Sequence, residues 1–380
     1  MFSFSSPQTI HFGRGQSENT AALAAQYGSS VLVVHGANAK RAQWLIASCK
    51  AADLTTKTIV CKIEPTLENI ERALVQLDGF QPAVVVALGG GSVMDFAKAL
   101  AALIHCDGRP VDYLEVVGNG QPLERPPIPM IALPTTAGTG AEVTKNAVIS
   151  VPDHGLKVSL RDPRMIPQIA IVDPSLMQGA PKHVALCAGL DAVTQVIEPY
   201  LTINANPITD TLCRAAIPVG LRVLRDVVEQ DCADGWDAMA WVSTCGGLAL
   251  ANAGLGAVHG LAGVIGGKTN APHGEICGAL LPAVLASHLQ HAQRGTDIHE
   301  RLSWVVEQID IQFGDSQMGH GLAELRKWAS NMGLRGLSTL GLSVEDYPDI
   351  ASAAGDASSM KGNPFPLSQK ELLLILQFAA

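Results

Sequence analysis

Charge is scarce in this chain of 380 residues: Asp, Glu, Lys and Arg together make up 16%, against 47% apolar residues. That balance excludes a disordered chain, and glycines without a three-residue period exclude a collagen-like one. Basic runs are missing. With 26 basic residues against 35 acidic ones the net charge is −9, so no nucleic-acid partner is expected and the mild acidity serves solubility. Paired cysteines are missing as well. The eight cysteines (49, 61, 106, 187, 213, 232, 245 and 277) contain no C-x-x-C, which reads as the reduced thiols of a cytoplasmic protein. The first fifteen residues lack a basic n-region and an apolar h-region, so no signal peptide is expected. The most apolar stretch, residues 241–267, is dense in Gly and Ala and interrupted by Asn252 and His259. It suits an internal helix pair better than a membrane span, and no membrane partner is expected.

A chain of this length exceeds the usual ceiling for one hydrophobic core, so two domains are expected. Up to about residue 180, short apolar runs (31–34, 58–61, 83–88, 130–133 and 169–172) alternate with amphipathic stretches. Continuous apolar strands separated by helices indicate a parallel sheet covered on both faces. From Pro181 onward strand signals stop and Ala/Leu/Val-rich helical patterns take over, as at 210–228, 236–253 and 275–291. The expectation is an α/β domain over 1–180, an all-helical domain over 181–380, and a cleft between them.

After the apolar run ending at Leu88 comes Gly89-Gly90-Gly91-Ser92-Val93-Met94-Asp95, which opens a helix. Glycines allow a sharp turn and close backbone approach, and the helix start offers free N–H groups to a diphosphate. This is not G-x-G-x-x-G, and an ordinary strand-to-helix turn can share the pattern. A second loop, Pro134-Thr135-Thr136-Ala137-Gly138-Thr139-Gly140-Ala141-Glu142, also follows an apolar strand. Two such loops at the carboxyl ends of parallel strands point to a bound nucleotide.

A metal pattern follows. Asp191 and Gln195 are four residues apart on one helical face, and His259 and His273 sit in small-residue, apolar surroundings. One carboxylate and two imidazoles can face a single divalent cation; a structural role for each histidine is the alternative. The other histidines, with surface-like His288, His291 and His299 among them, have no ligand-like context.

Phe12-Gly13, Gly89 to Asp95 with Ala97-Lys98, Pro134 to Glu142, Asp173-Pro174, Gly189-Leu190-Asp191, Pro272-His273-Gly274 and Gly362-Asn363-Pro364 stand in the order and spacing of one family. The chain resembles the iron-containing (group III) alcohol dehydrogenases, relatives of glycerol dehydrogenase, maleylacetate reductase and dehydroquinate synthase. The resemblance implies a dehydroquinate synthase-like fold, with a dinucleotide-binding α/β domain and a helical metal domain. It further implies an oxidoreductase exchanging hydride between NAD(P)(H) and a small alcohol or aldehyde at an iron or zinc ion, and a homodimer. Carried over, Gly90, Gly91, Ser92 and Asp95 would hold the diphosphate region, and Thr135, Thr136 and Thr139 the nicotinamide side. Lys157 would reach the nicotinamide ribose. Asp191, His259 and His273, with Gln195, would hold the metal.

Two positions depart from the family pattern: Gln195 and Gly263 stand where it has histidines. An amide oxygen is a weaker donor than imidazole, and Gly263 removes a proton shuttle, leaving water or the cofactor ribose as the proton route. At the first strand's end, His35-Gly36-Ala37-Asn38-Ala39-Lys40-Arg41 contains no acid, and Gly36 stands where NAD-preferring relatives place Asp. A 2′-phosphate would be tolerated, bonded by Asn38, Lys40 or Arg41, so the reading leans to NADP(H) with NAD still open. The alternatives are a metal-independent, maleylacetate-reductase-like enzyme and a nucleotide-binding protein whose catalytic site has decayed.

Overall fold

The computed structural model describes residues 1–269, 271–314 and 320–380. It separates into two compact units. One comprises 5–136 and 140–177; the other comprises 1–4, 137–139 and 178–380.

The first unit is built on a six-stranded parallel sheet. Its strands are β1 (Thr9–Phe12), β2 (Ser30–Gly36), β3 (Thr55–Cys61), β4 (Val84–Gly89), β5 (Met130–Pro134) and, after the hairpin β6 (Asn146–Val151) and β7 (Leu156–Arg161), β8 (Ile169–Val172). The sheet order is β1-β8-β5-β4-β2-β3. Every residue of β4, β5 and β8 is buried, as expected for strands covered on both faces. Alternate residues serve opposite faces. Val31, Val33, Val84, Val86, Ile131 and Leu133 form one core with Ala24, Leu45 and Cys49. Leu32, Val34, Val85, Ala87 and Ala132 form the other with Ile70, Phe96 and Leu100.

The strand order decides where a ligand can bind. The chain runs from β2 outward to β3 and then returns to the other side of β2 with β4, so the winding reverses between β2 and β4. Open α/β sheets bind ligands at the strand carboxyl ends beside such a reversal. The loops after β2 (Gly36 to Asn38) and β4 (Gly89 to Ser92) flank it.

The β6–β7 hairpin was not anticipated. Its two segments alternate in burial around a turn closed by Gly155 at φ 61°, and sequence reading oriented to continuous apolar runs passes over such a pattern. Buried Lys98, in the helix Gly91–Leu103, fastens it: Nζ donates to Thr144 Oγ1 (2.7 Å) and to the Asn146 carbonyl (3.1 Å). Burial pushes this lysine's pKa down to about 8.

The second unit is helical, with no strand among its described residues. Its centre is the helix Lys182–Leu201, buried almost throughout from Ala185 onward. By length and composition alone that helix could cross a membrane, but 89% of its apolar window is buried within the protein, as in a core helix. The apolar stretch 241–267 falls on two helices, Ala233–Ala253 and Ala257–Thr269, bent by 97° at their junction. Glycines set the spacing around the central helix. A Cβ at Gly274 would lie 2.3 Å from the Cys187 carbonyl oxygen, and one at Gly278 would lie 2.6 Å from Leu190 Cδ1. The helix His273–His291 therefore packs against Lys182–Leu201 nearly backbone to backbone. One expectation is corrected in this helix: His288 is buried, not surface-like, with its ring against Phe365 at a centroid distance of 5.6 Å.

Candidate functional site

Three helices of the second unit converge their polar groups at one point. Asp191 comes from the middle of Lys182–Leu201, His259 from the first turn of Ala257–Thr269, and His273 from the first residue of His273–His291. Asp191 Oδ1 lies 3.4 Å from His259 Nε2 and 3.9 Å from His273 Nε2. A fourth group, unanticipated from the sequence, completes the cluster. Cys277, one turn after His273, places Sγ 3.6 Å from His273 Nε2 and 3.9 Å from His259 Nε2. All four donor atoms lie within 4.8 Å of one another. The i,i+4 spacing of His273 and Cys277 was the available signal.

Glu198, also missed, builds this corner. Its Oε1 accepts the Val258 N–H (2.7 Å), while Asn363 Oδ1 accepts the Ala257 N–H (3.1 Å). These satisfy backbone donors at a helix start that has no intrahelical acceptors to offer them. Glu198 Oε2 lies 2.6 Å from His259 Nδ1, where it accepts the Nδ1 proton and turns Nε2 towards Asp191 and Cys277.

The donor set fits a cation. A tetrahedral ion with bonds of about 2.0–2.1 Å to nitrogen or oxygen and about 2.3 Å to sulfur spaces neighbouring donors roughly 3.3–3.6 Å apart, close to the separations seen here. Asp191 is only 2% exposed, and its Oδ1 has no hydrogen-bond partner among the described residues. Such an orphaned carboxylate oxygen is costly unless a positive charge faces it.

Electrostatics agree. Burial works against every charge in the cluster, yet mutual attraction prevails. The His259 and His273 imidazoles hold Asp191 below the ordinary carboxylate value and Cys277 below the ordinary thiol value. Cys277, followed by the neighbouring carboxylates, holds His259 well above and His273 above the ordinary imidazole value. Protons here neutralise anionic donors, a role that a bound cation takes over by displacing them.

Gln195 lies one turn after Asp191, fully buried, and its Nε2 donates to the Gly138 carbonyl (2.9 Å). Beyond its own helix backbone and chain neighbours, Gly263 has no described atom within 4 Å of where its Cβ would stand. A second grouping, His183, Cys187 and Glu275, also lies within 4.8 Å. There both Glu275 oxygens already receive the Arg335 guanidinium (2.9 and 2.8 Å), so the positive partner is present.

The dinucleotide candidates lie in the first unit, apart from Thr139, which groups with the second. Gly90 precedes the helix Gly91–Leu103, with Gly91 and Ser92 in its first turn; a Cβ at Gly90 would press on Thr136 Oγ1 at 3.1 Å. The Thr135 N–H bonds the Gly89 carbonyl (2.9 Å), tying the two loops together. Asp95 Oδ2 accepts the Val148 N–H (3.1 Å), and Lys157 is ion-paired with Glu64. Gly36 ends β2, and Asn38 Oδ1 caps the following turn by accepting the Lys40 N–H (3.2 Å). Arg41 donates to the Leu176 carbonyl.

Residues 7–174 match the model of the iron-containing alcohol dehydrogenases, and residues 185–380 match that of the Fe-containing alcohol dehydrogenase family, C-terminal. The long-chain-alcohol dehydrogenase 1 of Geobacillus thermodenitrificans is 33% identical over 83% of this chain and 80% of its own. The lactaldehyde reductase of Escherichia coli is 33% identical over 79% and 78%. Sulfoacetaldehyde reductase from Bifidobacterium kashiwanohense, solved in complex with NAD+, superposes with a TM-score of 0.85 at 25% identity, covering 100% of this chain and 98% of that one. The two matched regions leave only a short connection between them, and on these grounds the chain belongs to the iron-containing alcohol dehydrogenase family.

Proposed function

We propose that this protein is a cation-assisted, nicotinamide-dependent alcohol dehydrogenase or aldehyde reductase acting on a small alcohol/aldehyde pair. The observation that carries the reading is the convergence of Asp191, His259 and His273 around an orphaned, buried carboxylate oxygen. The α/β unit is read as the carrier of the dinucleotide and the helical unit as the carrier of the cation. When bound, the nicotinamide gives or takes hydride, and the divalent cation, iron or zinc, polarises the substrate oxygen and eases deprotonation of an alcohol.

The chain's own residues supply positioning. Gly90, Gly91 and Ser92 open the helix start to a diphosphate, and Asp95 braces the hairpin that carries Lys157. Thr135, Thr136 and Thr139 are assigned to the nicotinamide side, and Lys157 to the ribose. Asp191, His259 and His273 hold the cation, and Glu198 fixes the tautomer and aim of His259. Gln195, with its amide nitrogen turned to Gly138, is the weakest of the four ligands read from the sequence. With glycine at 263 the alcohol proton leaves through water or the ribose.

NADP(H) is the favoured cofactor because no carboxylate follows β2 to repel a 2′-phosphate; exposed Asn38 and Lys40 are the groups to bond it. A cytoplasmic homodimer is proposed, supported by β1, which lies at a sheet edge with its outer side unpaired among the described residues. The relatives' names favour neither the metal-independent nor the decayed-site alternative. Oxidation of NADPH and NADH against a panel of short aldehydes, before and after chelation, is the test. Turnover is expected to vanish on chelation and return with zinc or ferrous iron; turnover that survives complete metal removal overturns the reading.

A further inference from the structure

We infer that the Cys277 thiolate is a ligand of the cation, and that the resulting carboxylate–imidazole–imidazole–thiolate set selects zinc over ferrous iron. This rests on the cation reading above and specifies it. Cys277 is fully buried, but its sulfur does not face an ordinary apolar core: it lies 3.6 and 3.9 Å from the two imidazole nitrogens that also face Asp191. A tetrahedral centre calls for a sulfur-to-nitrogen span of about 3.6 Å. The buried Asp191 Oδ1, without a hydrogen-bond partner among the described residues, is a second observation that points to a ligand at the same point.

The position beside Asp191 gives the complementary half. Gln195 spends its amide nitrogen on the Gly138 carbonyl and offers only a neutral oxygen as a donor. Cys277 restores a strong, anionic fourth donor, supplied by the helix that already carries His273. Soft thiolate shifts the site's preference away from ferrous iron and towards zinc. Binding releases the thiol and imidazolium protons, so no further reactant is needed.

The test is zinc-edge X-ray absorption on the intact wild-type protein loaded with zinc alone. One sulfur at about 2.3 Å with nitrogen and oxygen at about 2.0–2.1 Å is expected. A shell of nitrogen and oxygen only, around stoichiometric zinc, overturns the inference and leaves the cation reading standing. Failure to bind zinc, iron or cobalt overturns both. In parallel, the cobalt-substituted protein should show a near-ultraviolet thiolate-to-metal charge-transfer band. C277S should lose that band, keep the visible cobalt bands, and bind zinc at least about tenfold more weakly. Unchanged spectra and affinity in C277S sink the inference, and if that variant folds poorly the wild-type spectra decide.

Discussion

His288 shows what a single buried side chain can do to the pH response. Neither ring nitrogen has a hydrogen-bond partner among the described residues, and burial pushes its pKa down to about 4. In the unfolded chain it takes a proton near 6.5, so acid favours unfolding. Its stability contribution is intact above pH 6.5, falls as pH drops towards about 4, and levels off below that. The loss amounts to about 3 kcal/mol at 1.36 kcal/mol per pKa unit. Urea unfolding at several pH values should show this slope in the wild type and a flatter one in His288→Leu; parallel slopes would refute it. His288 also illustrates the limit of reading residues singly. Its sequence context looked exposed, whereas its helix, His273–His291, turns it inward against Phe365. Cys277 and Glu198 escaped for the same reason: a thiol and a carboxylate declare a role only when their neighbours across three helices are known.

Among elements, the approach of His273–His291 to Lys182–Leu201 decides whether the donors meet. Gly274 sits at the tightest point, with its absent Cβ 2.3 Å from the Cys187 carbonyl and 3.2 Å from Asp191 Cβ. Gly274→Ala should separate the two helices, costing about 1–3 kcal/mol, and carry His273 and Cys277 away from Asp191. Zinc affinity is expected to fall at least about tenfold, as when a supporting group is lost. Gly263→Ala is the control: beyond its own helix it meets no described atom within 4 Å and should stabilise that helix by about 0.5–1 kcal/mol with zinc binding unchanged. Calorimetry of zinc binding to both variants checks the contrast, and equal affinities would remove Gly274 from this role. The element pattern itself was largely legible. Apolar runs such as Val31 to Val34 and Val84 to Leu88 are uninterrupted because both faces of their sheet are covered. The hairpin was not, because β6 and β7 bury alternate residues, with Asn146, Ser150, Lys157 and Ser159 breaking the apolar run.

At the level of the whole molecule, the candidate groups divide by unit. The glycine and threonine loops belong to the parallel sheet, apart from the 137–139 segment, and the cation donors all belong to the helices. Dinucleotide affinity should therefore be nearly indifferent to the cation. Fluorescence titration with NADPH, before and after chelation, is expected to give dissociation constants within about threefold, less than 1 kcal/mol apart. A tenfold or larger loss on chelation would contradict that division. The sequence made both halves readable because each loop or ligand pair is local in the chain. Residues 191, 259 and 273 could be named together from the sequence; what it hid is that Cys277 joins them, which depends on helix packing.

Glu198 has a consequence for how the protein fails. The same carboxylate begins the helix Ala257–Thr269 and aims the His259 ring, so fraying of that first turn and misdirection of that ligand are one event. Whatever loosens that turn therefore also turns the His259 ring away from Asp191 and Cys277, even where the rest of the architecture still stands.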